Sequence, residues 1–360
     1  MSKVERFKKG DSVAHSLSKD NRLFFVLSGP TAVGKTEVSQ DFFGTGCVEF
    51  INGDMGQLYK PLSIGTAKPD WKSIPIAHHL FDIIERPVDY TALDYRERVK
   101  TCMEEVWERG NIPVVVGGSL FYLRMLFFVP GDYDSSCLAS KRGSQPEIDF
   151  DRESAWEILQ SKDPQRAEQL ESANDTYRLK RALELLEAGV LPSSRTLKYE
   201  PLAHYRILFL TREREDLYAR INRRVVEMIG AGWIEEVKGL SADWRAFLSR
   251  KKLIGYSEII TYLEELEKEG CDKTLSSPCF ETLVSCIQQR TRRYAKRQMT
   301  FWRMLKRELK KELVCSIKKG NEECSIEELD LTLSPLPLYI KQTISDQCRV
   351  HTMNTGGRWQ

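Results

Sequence analysis

The stretch LFFVLSGPTAVGKT, residues 23–36, constrains this chain more than any other. An apolar, β-rich run leads directly into Gly29, Pro30, Thr31, Ala32, Val33, Gly34, Lys35 and Thr36. These eight residues fit G-x-x-x-x-G-K-[ST], the loop that cradles phosphates. Its backbone N–H groups converge on one point, and the following helix adds the positive end of its dipole. Lys35 brings a mobile cation, and Thr36 a hydroxyl suited to Mg²⁺. Such a loop works only between a strand and a helix, so the chain must contain a β–α unit with the loop at the strand's carboxyl end. The motif establishes a di- or triphosphate ligand. It does not distinguish a nucleotide from another compound carrying the same phosphates.

Three further apolar runs resemble the first. Val48 to Ile51 ends at Asn52-Gly53-Asp54, Ile112 to Val116 ends at Gly117-Gly118-Ser119, and Tyr205 to Leu210 is followed by Thr211. Unbroken apolar runs, rather than alternation, predict strands buried on both faces, hence a parallel sheet covered by helices. The expected fold class is α/β. Ligands bind at the carboxyl ends of such strands, so Asp54, Ser119 and the phosphate loop should converge on one cleft. A carboxylate at Asp54 could take a proton, hold Mg²⁺ as in an ATPase, or cap a turn.

Helical periodicity covers Asp151 to Ala188, 213–240, 255–268 and 279 to about 313. Gly230 and Gly232 interrupt the second of these, which predicts two helices or one bent one. Residues 131–150 have turn composition and read as a lobe boundary. The expected organisation is a polar extension over 1–21, a catalytic core over 22–130 and 174–310, a helical insertion lobe over 131–173, and a tail over 311–360 with no readable motif.

Composition excludes several classes. No apolar run approaches the roughly 20 residues of a membrane span, and the polar N-terminus has no secretory segment. Nine scattered cysteines without C-x-x-C argue against a disulfide framework and for a reducing cytoplasm. Cys315, Cys324, Cys348 and His351 match no common zinc spacing. The net charge of +2 conceals its distribution: Arg290 to Lys311 holds ten Lys or Arg against one acid, Glu308, with Tyr294, Phe301 and Trp302 interleaved. That excess exceeds what solvating one helix requires and points to nucleic acid.

Several blocks together carry a family resemblance: GPTAVGKT (29–36), NGDMGQLYK (52–60), IGTAKP (64–69), HHLFDI (78–83), VGGSLFYLRML (116–126), NDTYRLKRALEL (174–185), RINRRVVEMIGAGWIEEVKGL (220–240), LIGYSE (253–258) and TRRYAKRQMTFWR (291–303). In this order, over roughly residues 23–305, the chain resembles a tRNA dimethylallyltransferase, or isopentenyl-tRNA transferase. The absence of a two-Cys two-His zinc finger in the tail resembles the bacterial type.

The resemblance implies a P-loop NTPase-like core and a Mg²⁺-dependent transfer. A dimethylallyl group would pass from dimethylallyl diphosphate to the exocyclic amine of the adenosine 3′ to the anticodon. The loop from Gly29 to Thr36 would then hold the donor's diphosphate, with Thr36 on the metal. Asp54 matches the family's base and Arg224 the arginine that holds diphosphate, with Arg220 a second candidate. Ser119 stands where the family usually has threonine, and Met55 where it has serine. Asp54, Met55, Gly56 and Gln57, with Ser119, match tRNA-contacting positions, as do Tyr177, Arg178 and Arg181. Lys296, Arg297 and Gln298 form a further such block. The partners implied are the tRNA anticodon stem-loop and the prenyl donor, with no membrane, and a monomer is expected. The competing reading from the residues alone is a P-loop kinase of a small metabolite or an NTPase.

Overall fold

A computed structural model of the chain describes residues 22–40, 47–131, 151–170, 172–174, 176–269, 278–317 and 324–332. The polar extension over 1–21, most of the 131–150 loop, and the tail beyond 332 with Cys348 and His351 lie outside these.

The four apolar runs form strands β1 (Leu23–Ser28), β2 (Val48–Asn52), β4 (Ile112–Gly117) and β7 (His204–Thr211). They are joined by β3 (His78–His79) and β8 (Ser325–Asp330) in one six-stranded sheet of order β3-β2-β4-β1-β7-β8. Every neighbouring pair is parallel. All five residues of β2 are buried, as are Phe24 to Ser28 of β1, so both faces are covered, as continuous apolar runs demand. The strand at the β8 edge was not legible as a run. SIEELD holds three acids and only two apolar side chains, leaves the adjacent Glu327 and Glu328 exposed, and carries the acidic edge that discourages further pairing. The expected featureless tail therefore supplies an edge strand to the main sheet.

Helices cover the faces. α1 (Lys35–Gln40) follows the phosphate loop, and α2 (Ala92–Glu108) opens with a capping box between Thr91 and Asp94. The short α3 (Leu120–Arg124) follows β4. The pattern over 213–240 resolves into α7 (Arg214–Gly230) and α8 (Trp233–Lys238), separated at Gly232, whose φ of 98° is left-handed. Next come α9 (Ala242–Lys251), α10 (Tyr256–Glu269) and the long α11 (Pro278–Ile317). The core between sheet and helices joins Leu27, Val48 and Val114 of the strands with Val38, Leu217, Ile221 and Ala295 of the helices. The indole of Trp302 stacks on Phe209 of β7, centroids 4.0 Å apart, and fixes α11 against the sheet.

The chain divides into two compact units, 1–124 with 202–360 and 125–201. The second contains α4 (Arg152–Lys162), α5 (Pro164–Leu170) and α6 (Thr176–Glu187), with the antiparallel pair of β5 (Phe128–Pro130) and β6 (Leu197–Tyr199). Ala155, Leu159, Leu170, Leu179 and Ala182 form its own small core. The division differs from the sequence expectation of 131–173. Leu179 and Ala182 of α6 bury against α4 and α5, so α6 belongs to this unit and not to the sheet-bearing one. A helical period shows which residues share a face and not which neighbour that face meets.

Candidate active site

The phosphate loop leaves β1 at Ser28, whose hydroxyl donates to Gly117 O on β4 at 2.8 Å. Gly29 takes φ 155°, and a Cβ there would lie 2.6 Å from the Leu210 carbonyl oxygen, so a side chain has no room. Lys35 Nζ curls back over the loop and donates to Gly29 O and Pro30 O, each at 3.1 Å. The outer side of the loop is braced from α7 and the residues before it. Arg212 Nε donates to Val33 O at 2.7 Å, and Arg220 Nε to Ala32 O at 2.9 Å. The two guanidinium groups thereby fix the Ala32 and Val33 carbonyls of the loop.

Two cations on this site have no carboxylate salt bridge among the described residues. Burial lowers the pKa of Lys35, and the nearby Arg224 guanidinium lowers it further, while the charges of Asp54 and Glu37 oppose both. Burial likewise lowers that of Arg224, again opposed by Asp54 and Glu37. Partly buried cations without a salt-bridged acid gain from an anion entering between them. Arg220 differs. Its guanidinium donates to Ala32 O and pairs with Glu37 at 2.6 Å, so here it braces the loop's backbone.

Asp54 sits one residue beyond Gly53, at the carboxyl end of β2. It precedes a short 3-10 turn over Met55–Leu58 but makes no side-chain capping bond there. Its Oδ1 instead accepts from Gly118 N at 2.6 Å, across the gap to β4. Asn52 fixes the backbone beneath it: Asn52 Oδ1 accepts from Asp54 N at 2.9 Å, and Nδ2 donates to Asp54 O at 3.1 Å and Leu80 O at 3.0 Å. Tyr95 of α2 donates its hydroxyl to Asn52 O at 2.9 Å. The carboxylate is therefore aimed by its neighbours and not used as a cap.

Gly118 explains the Gly-Gly pair after β4. A Cβ there would lie 2.6 Å from Gln298 Nε2 and 3.3 Å from Lys35 Nζ, so the Asp54 carboxylate, the loop lysine and α11 meet around one peptide. Ser119 Oγ accepts from Met55 N at 2.9 Å and hydrogen-bonds Tyr294 of α11. Burial raises the Tyr294 hydroxyl pKa, and the Asp54 charge adds to that. Tyr294 thus faces Asp54, a placement that helical spacing alone did not reveal.

Gln298 is 5% exposed and internal. Its Oε1 accepts from Thr31 N at 2.9 Å and its Nε2 donates to Gly118 O at 2.8 Å. The carboxamide ties the phosphate loop to the strand end that holds Asp54, whereas the family resemblance implied an RNA contact. Lys296 and Arg297, beside it on α11, are exposed. Gln57 is also turned inward. Its Nε2 donates to Thr66 O at 3.1 Å and Ala67 O at 3.3 Å, which leaves Oε1 as the end open to a ligand. Gly56 lies within the same turn. Thr36 presents an exposed side chain on the first turn of α1.

Tyr177, Arg178 and Arg181 lie on α6 in the second unit; the Tyr177 side chain is outside the described atoms. Arg181 is exposed and pairs with Glu184 at 2.6 Å, one turn along its own helix. Other blocks prove to be scaffolding. Glu236 of α8 accepts from the N–H groups of Ser63, Ile64 and Gly65 and from the Tyr256 hydroxyl, which joins IGTAKP to α8 and α10. Lys68 pairs with Asp82 across the same loop. Charged residues buried on backbone amides leave no periodic trace, which is why these partners were not foreseen.

Comparison with known proteins agrees with this geometry. The family model described as IPP transferase matches residues 57–305. The tRNA dimethylallyltransferase of Bacillus mycoides is 35% identical over 284 residues, covering 77% of this chain and 86% of that protein. That of Symbiobacterium thermophilum is 34% identical over 292 residues, covering 78% and 86%. The crystal structure of tRNA delta(2)-isopentenylpyrophosphate transferase from Staphylococcus epidermidis aligns with a TM-score of 0.54 at 25% identity, covering 92% of this chain and all of that one. A eukaryotic dimethylallyltransferase acting on tRNA shares the fold, with a TM-score of 0.61 at 24% identity over 93% of this chain and 79% of its own. With a phosphate loop facing an anchored carboxylate on a parallel sheet, and a match over most of its length, this chain belongs to the IPP transferase family.

Proposed function

We propose that this chain transfers a dimethylallyl group from dimethylallyl diphosphate to the exocyclic amine of the adenosine 3′ to the anticodon in tRNA. The observation that carries the reading is the pairing of Lys35 and Arg224, cations without a carboxylate salt bridge, with Asp54, whose carboxylate Gly118 N holds at 2.6 Å. A phosphate loop suits the diphosphate end of an allylic donor, and a fixed carboxylate suits an amine that must lose a proton. The tRNA dimethylallyltransferases similar to this chain support the assignment.

In this reading the amine nitrogen forms a bond to the allylic carbon as the carbon–oxygen bond to diphosphate breaks. The loop amides, Lys35 and Arg224 take up the charge that develops on the leaving oxygen. The adenine amine is a weak nucleophile because its lone pair is delocalised into the ring, and Asp54 accepts its proton as attack proceeds. Thr36, exposed at the first turn of α1, fits the role of holding Mg²⁺ together with diphosphate oxygens and water. When bound, the ion supplies charge neutralisation on the leaving diphosphate. The adenosine must be flipped from its loop stack, which costs little where the base is already unpaired.

RNA contact is proposed for Met55, Gly56, Gln57 through its Oε1, and Ser119 around the base. Lys296 and Arg297 on α11 and Tyr177, Arg178 and Arg181 on α6 complete the set. A cytoplasmic monomer belongs to the same reading. Among the described residues no helix is long and apolar enough to cross a membrane, and the nine scattered cysteines suit a reducing compartment. The test is incubation with isotope-labelled dimethylallyl diphosphate and undermodified tRNA. Label in the RNA is the expected result; ATP turnover with no label in RNA would replace the reading with a kinase or NTPase.

A further inference from the structure

The family match ends at residue 305, but α11 continues to Ile317, and its extra turns border an open cavity of about 540 Å³. The cavity lies where α11 passes the carboxyl ends of β7 and β8. Arg303, Lys306, Arg307 and Lys310 line it on the helix side, with Glu328 and Asp330 opposite. The two acids are already occupied. Glu328 accepts from Trp302 Nε1 at 2.5 Å and pairs with Lys306, while Asp330 Oδ1 accepts from Thr332 N at 2.9 Å. Glu308, the single acid between Arg290 and Lys311, is taken by Arg124 of α3 at 2.7 Å. Arg303, Arg307 and Lys310 are exposed and form no salt bridge among the described residues, although the charge of Lys310 reaches Glu328.

These cations continue a line. Arg293, Lys296, Thr300, Arg303, Arg307 and Lys310 follow one another at intervals of three and four residues, so they share one face of the helix, and all are exposed. From the first to the last the helix rises about 26 Å. An ordinary solvated helix face alternates charges and forms i,i+4 pairs. This one offers five cations and Thr300 with no acid among them, and ends in a concave site.

We propose that the cavity lined by Arg303, Lys306, Arg307 and Lys310 seats a backbone phosphate of the bound RNA, with the exposed face of α11 leading the strand there from Lys296. Arginine forks and lysine ammonium groups match phosphate oxygens, and the walls exclude part of the competing water. The inference rests on the proposed action on tRNA and extends its footprint along α11 beyond Lys296 and Arg297.

The test is equilibrium binding of undermodified tRNA to the full chain across a salt series, for the parent and for Arg307→Glu combined with Lys310→Glu. Each lost phosphate contact lowers the slope of log K against log salt by about 0.7 to 0.9. The expected result is a tRNA Kd raised about tenfold near 0.1 M salt, a slope shallower by about 1, and an unchanged KM for dimethylallyl diphosphate. Exchanging the two cations, Arg307→Lys with Lys310→Arg, should restore both values. If the double variant fails to fold by circular dichroism, Arg307→Gln alone gives the same reading at smaller amplitude. Unchanged tRNA affinity and slope would overturn the proposal. So would loss of inorganic phosphate binding with tRNA binding untouched, which would assign a free anion. A parent chain that prenylates tRNA while the variant binds it equally well refutes this inference alone. A parent that binds tRNA through these cations but transfers no prenyl group refutes only the proposed activity.

Discussion

Replacing Gln298 by alanine separates two readings of α11. The carboxamide is buried, accepts from Thr31 N at 2.9 Å and donates to Gly118 O at 2.8 Å. Alanine leaves both backbone groups without their partner in the protein interior. An unsatisfied buried group costs about 1–3 kcal/mol, so with partial entry of water the loss should be about 2–4 kcal/mol in all. In melting temperature that is roughly 4–10 °C. The functional effect should exceed what stability explains. Gly118 N holds the Asp54 carboxylate, and Thr31 belongs to the phosphate loop, so releasing both lets base and donor drift apart. A fall in kcat of about 10- to 100-fold corresponds to roughly 1.4–2.7 kcal/mol of lost positioning.

The assay is thermal unfolding together with steady-state transfer kinetics in which tRNA and dimethylallyl diphosphate are varied separately. Glutamate at 298 sharpens the result, since it keeps the acceptor for Thr31 N but loses the donor to Gly118 O. It should lie between parent and alanine in stability and weaken donor binding by adding a negative charge. A Gln298→Ala chain as stable as the parent, with only its KM for tRNA raised, would show that the side chain faces RNA and would refute the internal tie.

Three more outcomes follow from the same geometry. Asp54→Asn keeps an oxygen for Gly118 N but cannot take the proton, so kcat should fall about 10²- to 10⁴-fold while tRNA and donor binding persist; transfer near the parent rate would remove Asp54 as the base. Arg224→Ala should raise the KM for dimethylallyl diphosphate and weaken inhibition by free diphosphate more than Arg220→Ala, which should instead lower thermal stability. Equal inhibition constants in the two variants would contradict the distinction. Glu49 is held at about 2: burial alone would raise it, but His79, Arg109 and Asn111 hydrogen-bond the carboxylate and outweigh that. Its contribution, about 3 kcal/mol, is present above the unfolded value near 4.5 and is lost as pH falls toward 2. Glu49→Gln should therefore lower the urea midpoint at pH 7 and converge on the parent by pH 2; a constant gap across that range would refute the account.

The sequence by itself determined the phosphate loop, four core strands, their parallel pairing and the convergence of Lys35, Asp54 and Ser119 at one end of the sheet. Those features follow from local causes. A buried parallel strand needs an unbroken apolar run, and a loop that cradles phosphate needs glycines where the backbone turns. The RNA-directed chemistry came from the resemblance of separated blocks, because the loop alone is silent on what carries its phosphates. Only the tertiary structure decided which partners each polar side chain meets. Arg220 and Arg224 lie one turn apart on α7, yet one braces the loop and the other has no salt bridge among the described residues. Gln298 directly follows two exposed cations, Lys296 and Arg297, and these chain neighbours said nothing of its burial, because a helix turns each successive residue by about 100°. The placement of α6 and the pairing of the edge strand Ser325–Asp330 were likewise hidden. Long-range hydrogen bonds and packing decided them, and neither leaves a period in the chain.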